Sequence, residues 1–180
     1  MIAPRKRSGL VAGLALALAA LPACASLPDD GFAMIPRADA PDFDPLHFFE
    51  GRLEGRGILD KGVLGTVPVR VESVGERSPL GVLVLTQTIY EGDEPPRTRI
   101  WEFAEVGGRT YEGRMTDALG PVAGWSSGNM LTLNYIMDGN YEVIQRMTLA
   151  PDGTRATNAT RVELLGATIA VLSEEIVRVE

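Results

Sequence analysis

Residues 130–150 read MLTLNYIMDGNYEVIQRMTLA, and this stretch constrains the fold more than any other. Leu131, Leu133, Tyr135 and Met137 alternate with Thr132 and Asn134, so they share one face of a strand with a period of two. On the return run Tyr141, Val143 and Met147 lie on one side, with Glu142 and Arg146 on the other. Asp138-Gly139-Asn140 stands between the runs, and these residue types supply the positive φ angles of a tight β-hairpin. A hairpin with one apolar face is marginal alone and needs further strands to cover that face.

The same pattern recurs along the chain. TVPVRVESV (66–74) puts Val67, Val69 and Val71 on one side and Arg70 and Glu72 on the other. GVLVLTQTIY (81–90) is an apolar run that ends alternating, and RTRIWEFAE (97–105) places Trp101 and Phe103 on one face. RTYEGRMT (109–116) is a further strand, and two more flank Ser127-Gly128-Asn129. TRATNATRVELL and ATIAVLSEEIVRVE close the chain. Turn signals separate these runs: EGDEPP at 91–96, Gly107-Gly108, and Pro151-Asp152-Gly153. With 20 glycines and 12 prolines, the composition suits many short strands. The spacing predicts an all-β chain of nine or ten strands with short links, as an up-and-down barrel or a sandwich, and a helix only around residues 42–49. A barrel of 8–10 strands removes exposed edges and either holds one small ligand or is plugged by side chains. A membrane-spanning barrel is disfavoured: aromatic content is 6%, and outward positions carry Arg70, Glu72, Glu142 and Arg146.

The amino terminus has the plan of an export signal. Arg5, Lys6 and Arg7 precede an apolar run of 12 residues, LVAGLALALAAL (10–21), too short to span a bilayer. Leu21-Pro22-Ala23-Cys24 then resembles a bacterial lipobox. Cys24 is the only cysteine, so no internal disulfide accounts for it. The expected organisation is a signal peptide over 1–23, a lipid anchor on Cys24, a flexible acidic and proline-rich linker over 24–42, and a single domain over 43–180. Ala25, standing where an Asp would signal retention, favours the periplasmic side of the outer membrane. Cleavage after Ala23-Cys24-Ala25 would instead leave a soluble periplasmic protein. Without Arg5, Lys6 and Arg7, 14 basic residues remain against 24 acidic ones, a net charge of −10. Such a domain does not attract nucleic acid, and charge alone does not hold it on anionic lipid.

Candidate chemistry is sparse. GWSSG (124–128) fits the nucleophile-elbow pattern G-x-S-x-G with Ser126 at its centre. An alternating strand follows it rather than a helix. The only histidine, His47, precedes Ser126, against the order Ser, acid, His of that hydrolase class. A hydrolase using Ser126 is therefore a remote alternative, and the expectation is a protein that is not an enzyme. One histidine and one anchored cysteine do not make a zinc site, and Glu91, Asp93 and Glu94 lack calcium-loop spacing. No metal and no cofactor are expected, and His47 is read as covering a barrel end. Trp101, Tyr111, Met115, Trp125, Tyr135 and Met137 line an apolar ligand cavity or serve as ordinary core.

Four motifs stand in order through residues 43–178. FDPLHFFEGRLEGRG contributes Phe48, Phe49, Gly51, Leu53 and Gly57. YEGDE is followed by RIW, an acidic turn and an Arg-x-Trp. YEGRMTDALGPVAG joins Tyr-x-Gly to an Asp and a run of small residues, and GNMLTLNY is a Gly-Asn-x-Leu strand ending in Tyr. Together they resemble the DUF3833 family of bacterial lipoproteins of unknown function. The chain departs from the family at Asp60-Lys61-Gly62, where an Asp-Arg pair is usual, and in QRMTLAPDG, which lacks an acidic-acidic-Trp motif. The resemblance implies a lipocalin-like β-barrel and no established activity. The resulting expectation is an envelope lipoprotein that binds a hydrophobic small molecule or fatty acyl lipid. The alternative is a filled barrel acting through a protein partner whose identity the residues do not give.

Overall fold

The computed structural model describes residues 25–26 and 32–179; the expected signal peptide and Cys24 lie outside them. Among the described residues the first helix, α1 (Pro45–Phe48), is followed by ten strands. These are β1 (Gly51–Asp60), β2 (Thr66–Arg77), β3 (Leu83–Glu91), β4 (Arg97–Gly107) and β5 (Thr110–Met115). Then come β6 (Val122–Ser127), β7 (Met130–Met137), β8 (Tyr141–Leu149), β9 (Arg155–Leu164) and β10 (Ala167–Val179). Each strand pairs antiparallel with its neighbour in the chain, and β10 returns to β1, closing the barrel. Strand order is that of an up-and-down meander, the topology that sequential hairpins dictate.

Alternation sorts side chains between inside and outside. Leu131, Leu133, Tyr135, Val143 and Met147 are buried in the interior, as their period of two requires. Outward positions carry ion pairs between adjacent strands, such as Arg114–Glu102 at 2.8 Å and Arg155–Glu175 at 3.0 Å. Such a wall faces water rather than acyl chains.

One end of the barrel is plugged. Asp44 caps α1, its Oδ1 accepting from the Leu46 backbone N–H at 2.9 Å, and Pro45 occupies the first turn, where no N–H is needed. Phe43, Leu46, Phe48 and Phe49 are buried around the helix. The rings of Phe43 and Phe48 meet edge to face at 5.2 Å, and those of Phe48 and Phe49 at 5.0 Å. Gly75 admits this plug: a Cβ there would lie 1.8 Å from the Phe49 carbonyl oxygen. His47 is exposed on α1, and its carbonyl accepts from Arg178 Nη1 at 2.6 Å.

Residues 32–42 differ from the expected free-standing linker. They are extended but lie as a strap along the outer wall. The Phe32 N–H donates to Ser173 Oγ on β10 at 3.0 Å, and the Ile35 N–H to Thr157 Oγ1 on β9 at 2.9 Å. Asn129, in the β6–β7 turn, clamps the far end: its Oδ1 accepts from the Ala38 N–H at 2.7 Å and its Nδ2 donates to the Pro36 carbonyl at 3.1 Å. Ser173 and Thr157 point outward yet are buried under the strap. An Asp- and Pro-rich composition reads as solvated chain because it carries no apolar periodicity. Backbone-to-side-chain bonds such as these leave no periodic trace in the sequence.

Candidate ligand cavity

The strand ends opposite α1 enclose a cavity of about 270 Å³. Phe49 forms its floor, and Val69, Leu85, Ile89, Val143 and Leu172 are among its apolar walls. The barrel is thus filled at one end and hollow at the other. The expected alternative of a plugged barrel describes only the half around α1.

A few polar groups interrupt the apolar wall. Trp101 Nε1 donates to Gln87 Oε1 at 2.7 Å, and Gln87 Nε2 donates to Ser73 Oγ at 3.3 Å. The Tyr135 hydroxyl donates to Gln145 Oε1 at 3.3 Å, and its ring meets Trp101 edge to face at 5.5 Å. Burial pushes the Tyr135 phenol up to about 12, so it remains a neutral donor at physiological pH.

Glu174 on β10 is the buried acid of the cavity. Burial raises its carboxyl to about 6, against the smaller opposing pulls of an Asn158 hydrogen bond and the Arg99 charge. Asn158 Nδ2 donates to Glu174 Oε2 at 2.9 Å, and the Thr160 hydroxyl donates to Asn158 Oδ1 at 3.2 Å. The neighbouring strand makes room: a Cβ on Gly55 would lie 2.1 Å from Glu174 Oε1, and one on Gly57 would lie 2.6 Å from the Ser173 carbonyl oxygen.

At the mouth, Arg97 and Arg99 of β4 line the cavity. Arg99 Nε bonds Asp117 Oδ2 at 2.9 Å, and Arg97 Nη1 reaches the same oxygen at 3.2 Å. Lys61 Nζ pairs with Glu91 at 2.5 Å on the adjoining rim. Burial, and then the neighbouring charge of Arg99, hold Arg97 below the ordinary arginine value. The only side-chain hydrogen bond of Arg99 to the described residues is the one from Nε, so its Nη groups remain as donors beside the cavity.

Of the six side chains expected to line a cavity, Trp101, Tyr135 and Met137 do so. Tyr111 and Met115 face inward but belong to the packed core outside the lining. Trp125 is corrected: it points out of the barrel and is 42% exposed. In β6 the inward parity belongs to Val122, Gly124 and Ser126, and a strand of six residues is too short for its own pattern to reveal this. Residue reasoning also passed over Gln87, Arg97, Arg99, Gln145 and Glu174. Their signal was present: Arg97 and Arg99 share parity with Trp101, and Glu174 stands two residues from both Leu172 and Ile176.

Ser126 sits at the end of β6 with its buried hydroxyl unbonded to any described residue. The chain passes from it through Gly128 and Asn129 directly into β7, so strand–turn–strand geometry replaces the elbow. Among the described residues, no three His, Cys, Asp or Glu side chains gather to hold a metal.

A family model described as protein of unknown function (DUF3833) matches residues 19–170. No curated protein matches the chain. Among solved structures, the S-type phycobiliprotein lyase CPES from Guillardia theta has a TM-score of 0.60 and 6% identity, covering 75% of this chain and 90% of that chain. At that identity the likeness is one of fold, a lipocalin-like barrel. It also corrects the expectation of a protein that is not an enzyme. A lyase is built on this fold, so the barrel gives no ground for setting catalysis aside.

Proposed function

The chain belongs to the DUF3833 family, described as proteins of unknown function, and from its own cavity we propose that it binds one hydrophobic small molecule or lipid, a fatty acyl chain foremost. The observation that carries this reading is the hollow half of the barrel, apolar on its walls and open at one end. Apolar surface moved there from water contributes roughly 25 cal/mol per Å². Placed polar groups supply orientation. An acyl chain lies against Val69, Leu85, Ile89 and Val143, while its acidic head meets the Nη donors of Arg99 at the mouth. The likeness to a lipocalin-like barrel supports a small-molecule role at the level of fold.

The same reading places the protein on the periplasmic side of the outer membrane, held by acyl groups on Cys24. The lipobox-like run Leu21-Pro22-Ala23-Cys24 supports this. Native mass spectrometry of the protein purified from its own membrane, beside a Cys24→Ser form, tests both halves. A non-covalent lipid mass on both forms, with a covalent acyl mass on the unaltered chain alone, is expected. Bare protein in both forms overturns the ligand, and an unmodified Cys24 overturns the anchor.

A further inference from the structure

The point where the chain joins the barrel wall lies at the mouth of the cavity. The Ala25 N–H donates to the Thr168 carbonyl at 3.3 Å, and the Ser26 N–H donates to Asp60 Oδ2 at 3.2 Å. Thr168 is at the start of β10 and Asp60 at the end of β1, and both strand ends belong to the open rim. Cys24 immediately precedes Ala25 in the sequence. From Phe32 onward the strap lies along the wall to the plugged end, where the Phe43 N–H donates to the Gly128 carbonyl at 2.9 Å. Ala25 and Ser26, the residues that follow Cys24 in the chain, are therefore tied to the mouth and not to the plug.

The rim beside that point is apolar and uncovered. Val63 and Leu64, between β1 and β2, are 83% and 81% exposed, and Leu165, at the β9–β10 tip, is 98% exposed. Because β1 and β10 are paired, the two loops and Ala25 occupy one sector of the rim. Leu165 also has φ of +51°, a conformation that favours Gly or Asn, so neither backbone preference nor packing within the barrel accounts for a leucine there. Charge does not explain the sector either, since the rim mixes Lys61 with Glu91, Asp93 and Glu94. Apolar side chains projecting beside a lipid attachment point match the boundary between headgroups and acyl chains.

We propose that the barrel stands mouth-down on the membrane to which Cys24 ties it, with Val63, Leu64 and Leu165 entering the bilayer interface. An acyl lipid then passes between bilayer and cavity without crossing water. This rests on the anchored, ligand-binding reading above.

The test uses the full lipidated protein in phosphatidylethanolamine–phosphatidylglycerol vesicles. A polarity-sensitive thiol dye is placed at Leu165→Cys, and in a second variant at Leu80→Cys, an exposed site in the β2–β3 loop at the plugged end. Acylated Cys24 does not compete for the dye. The expected result is a blue-shifted dye, shielded from aqueous quencher, at position 165 and an aqueous dye at position 80. Equal exposure at the two positions, or the reverse order, overturns the orientation. A protein whose mass shows no acyl group on Cys24 overturns the anchor itself, which separates the two failures. As a second readout, the triple change Val63→Ser, Leu64→Ser, Leu165→Ser is expected to slow loading of a fluorescent fatty acid from vesicles by about tenfold or more, the factor that 1.4 kcal/mol of lost contact brings. Its affinity for the same fatty acid offered in water stays unchanged. An unaltered loading rate overturns the proposal.

Discussion

Glu174 is a carboxyl buried inside the barrel, and its behaviour with pH follows from that burial. Below about pH 4.5 the carboxyl is protonated in both the folded and the unfolded chain, so burial has no electrostatic cost. Between 4.5 and about 6 the unfolded chain releases its proton while the fold retains it, so stability falls as pH rises. Above 6 the fold carries the buried charge at full cost, about 2 kcal/mol at 1.36 kcal/mol per pH unit. Glu174→Gln is expected to flatten this window and to raise stability at pH 7, measured by urea denaturation between pH 4 and 8. An unchanged pH slope would remove Glu174 as its source. Gly57→Ala is expected to cost about 1–3 kcal/mol in the same assay, because the new Cβ meets the Ser173 backbone oxygen rather than a side chain that can swing away. For ligand binding, Arg99→Gln is expected to weaken a fatty acid by roughly tenfold, one charge-assisted hydrogen bond, in a fluorescent displacement titration. The fatty alcohol of equal length should hardly change, and an equal loss for both ligands would refute a head-group role. At this scale the sequence was readable where parity could be compared with a known inward neighbour. Trp101 and Tyr135 sit in long strands with buried partners two residues away, whereas Trp125 sits in a short strand without one.

Among the elements, the strap and its clamp are the least visible in the sequence. Gly128-Asn129 reads as a hairpin turn, and it is one, with φ of +56° at Gly128. It also holds the amino-terminal segment. A Cβ on Gly128 would lie 2.2 Å from the Ala38 carbonyl oxygen, and the buried Asn129 amide bonds Ala38, Pro36 and Leu149. Asn129→Ala leaves buried backbone groups without partners, at about 1–3 kcal/mol for a lost partner of this kind. The variant is expected to lose stability by that order and to become protease-sensitive near Arg37, read by limited trypsin digestion and mass mapping. Trypsin resistance at Arg37 equal to that of the unaltered chain would show that the strap holds without its clamp. The strands themselves were legible because period-two burial is a local property. The strap was not, since its bonds join residues about 90 to 140 positions apart.

In the whole molecule, one barrel is divided between a packed half, which α1 and its phenylalanines complete, and a hollow half that opens beside the amino-terminal attachment. Filling the hollow half should separate binding from folding. Ala170→Phe puts a ring into the cavity from β10 and is expected to abolish the bound lipid mass while the thermal midpoint stays within a few degrees. A lipid mass that survives this change would place the ligand outside the barrel. The sequence by itself determined the all-β class, the alternating runs and the hairpin order, because strand period and turn chemistry are encoded within a few residues of one another. Only the tertiary structure decided that the barrel is half hollow, that Glu174 and Arg99 face its interior, and that the chain joins the wall at the mouth. Those features depend on barrel closure, which pairs β1 with β10 across more than a hundred residues, and no local pattern records what that closure brings together.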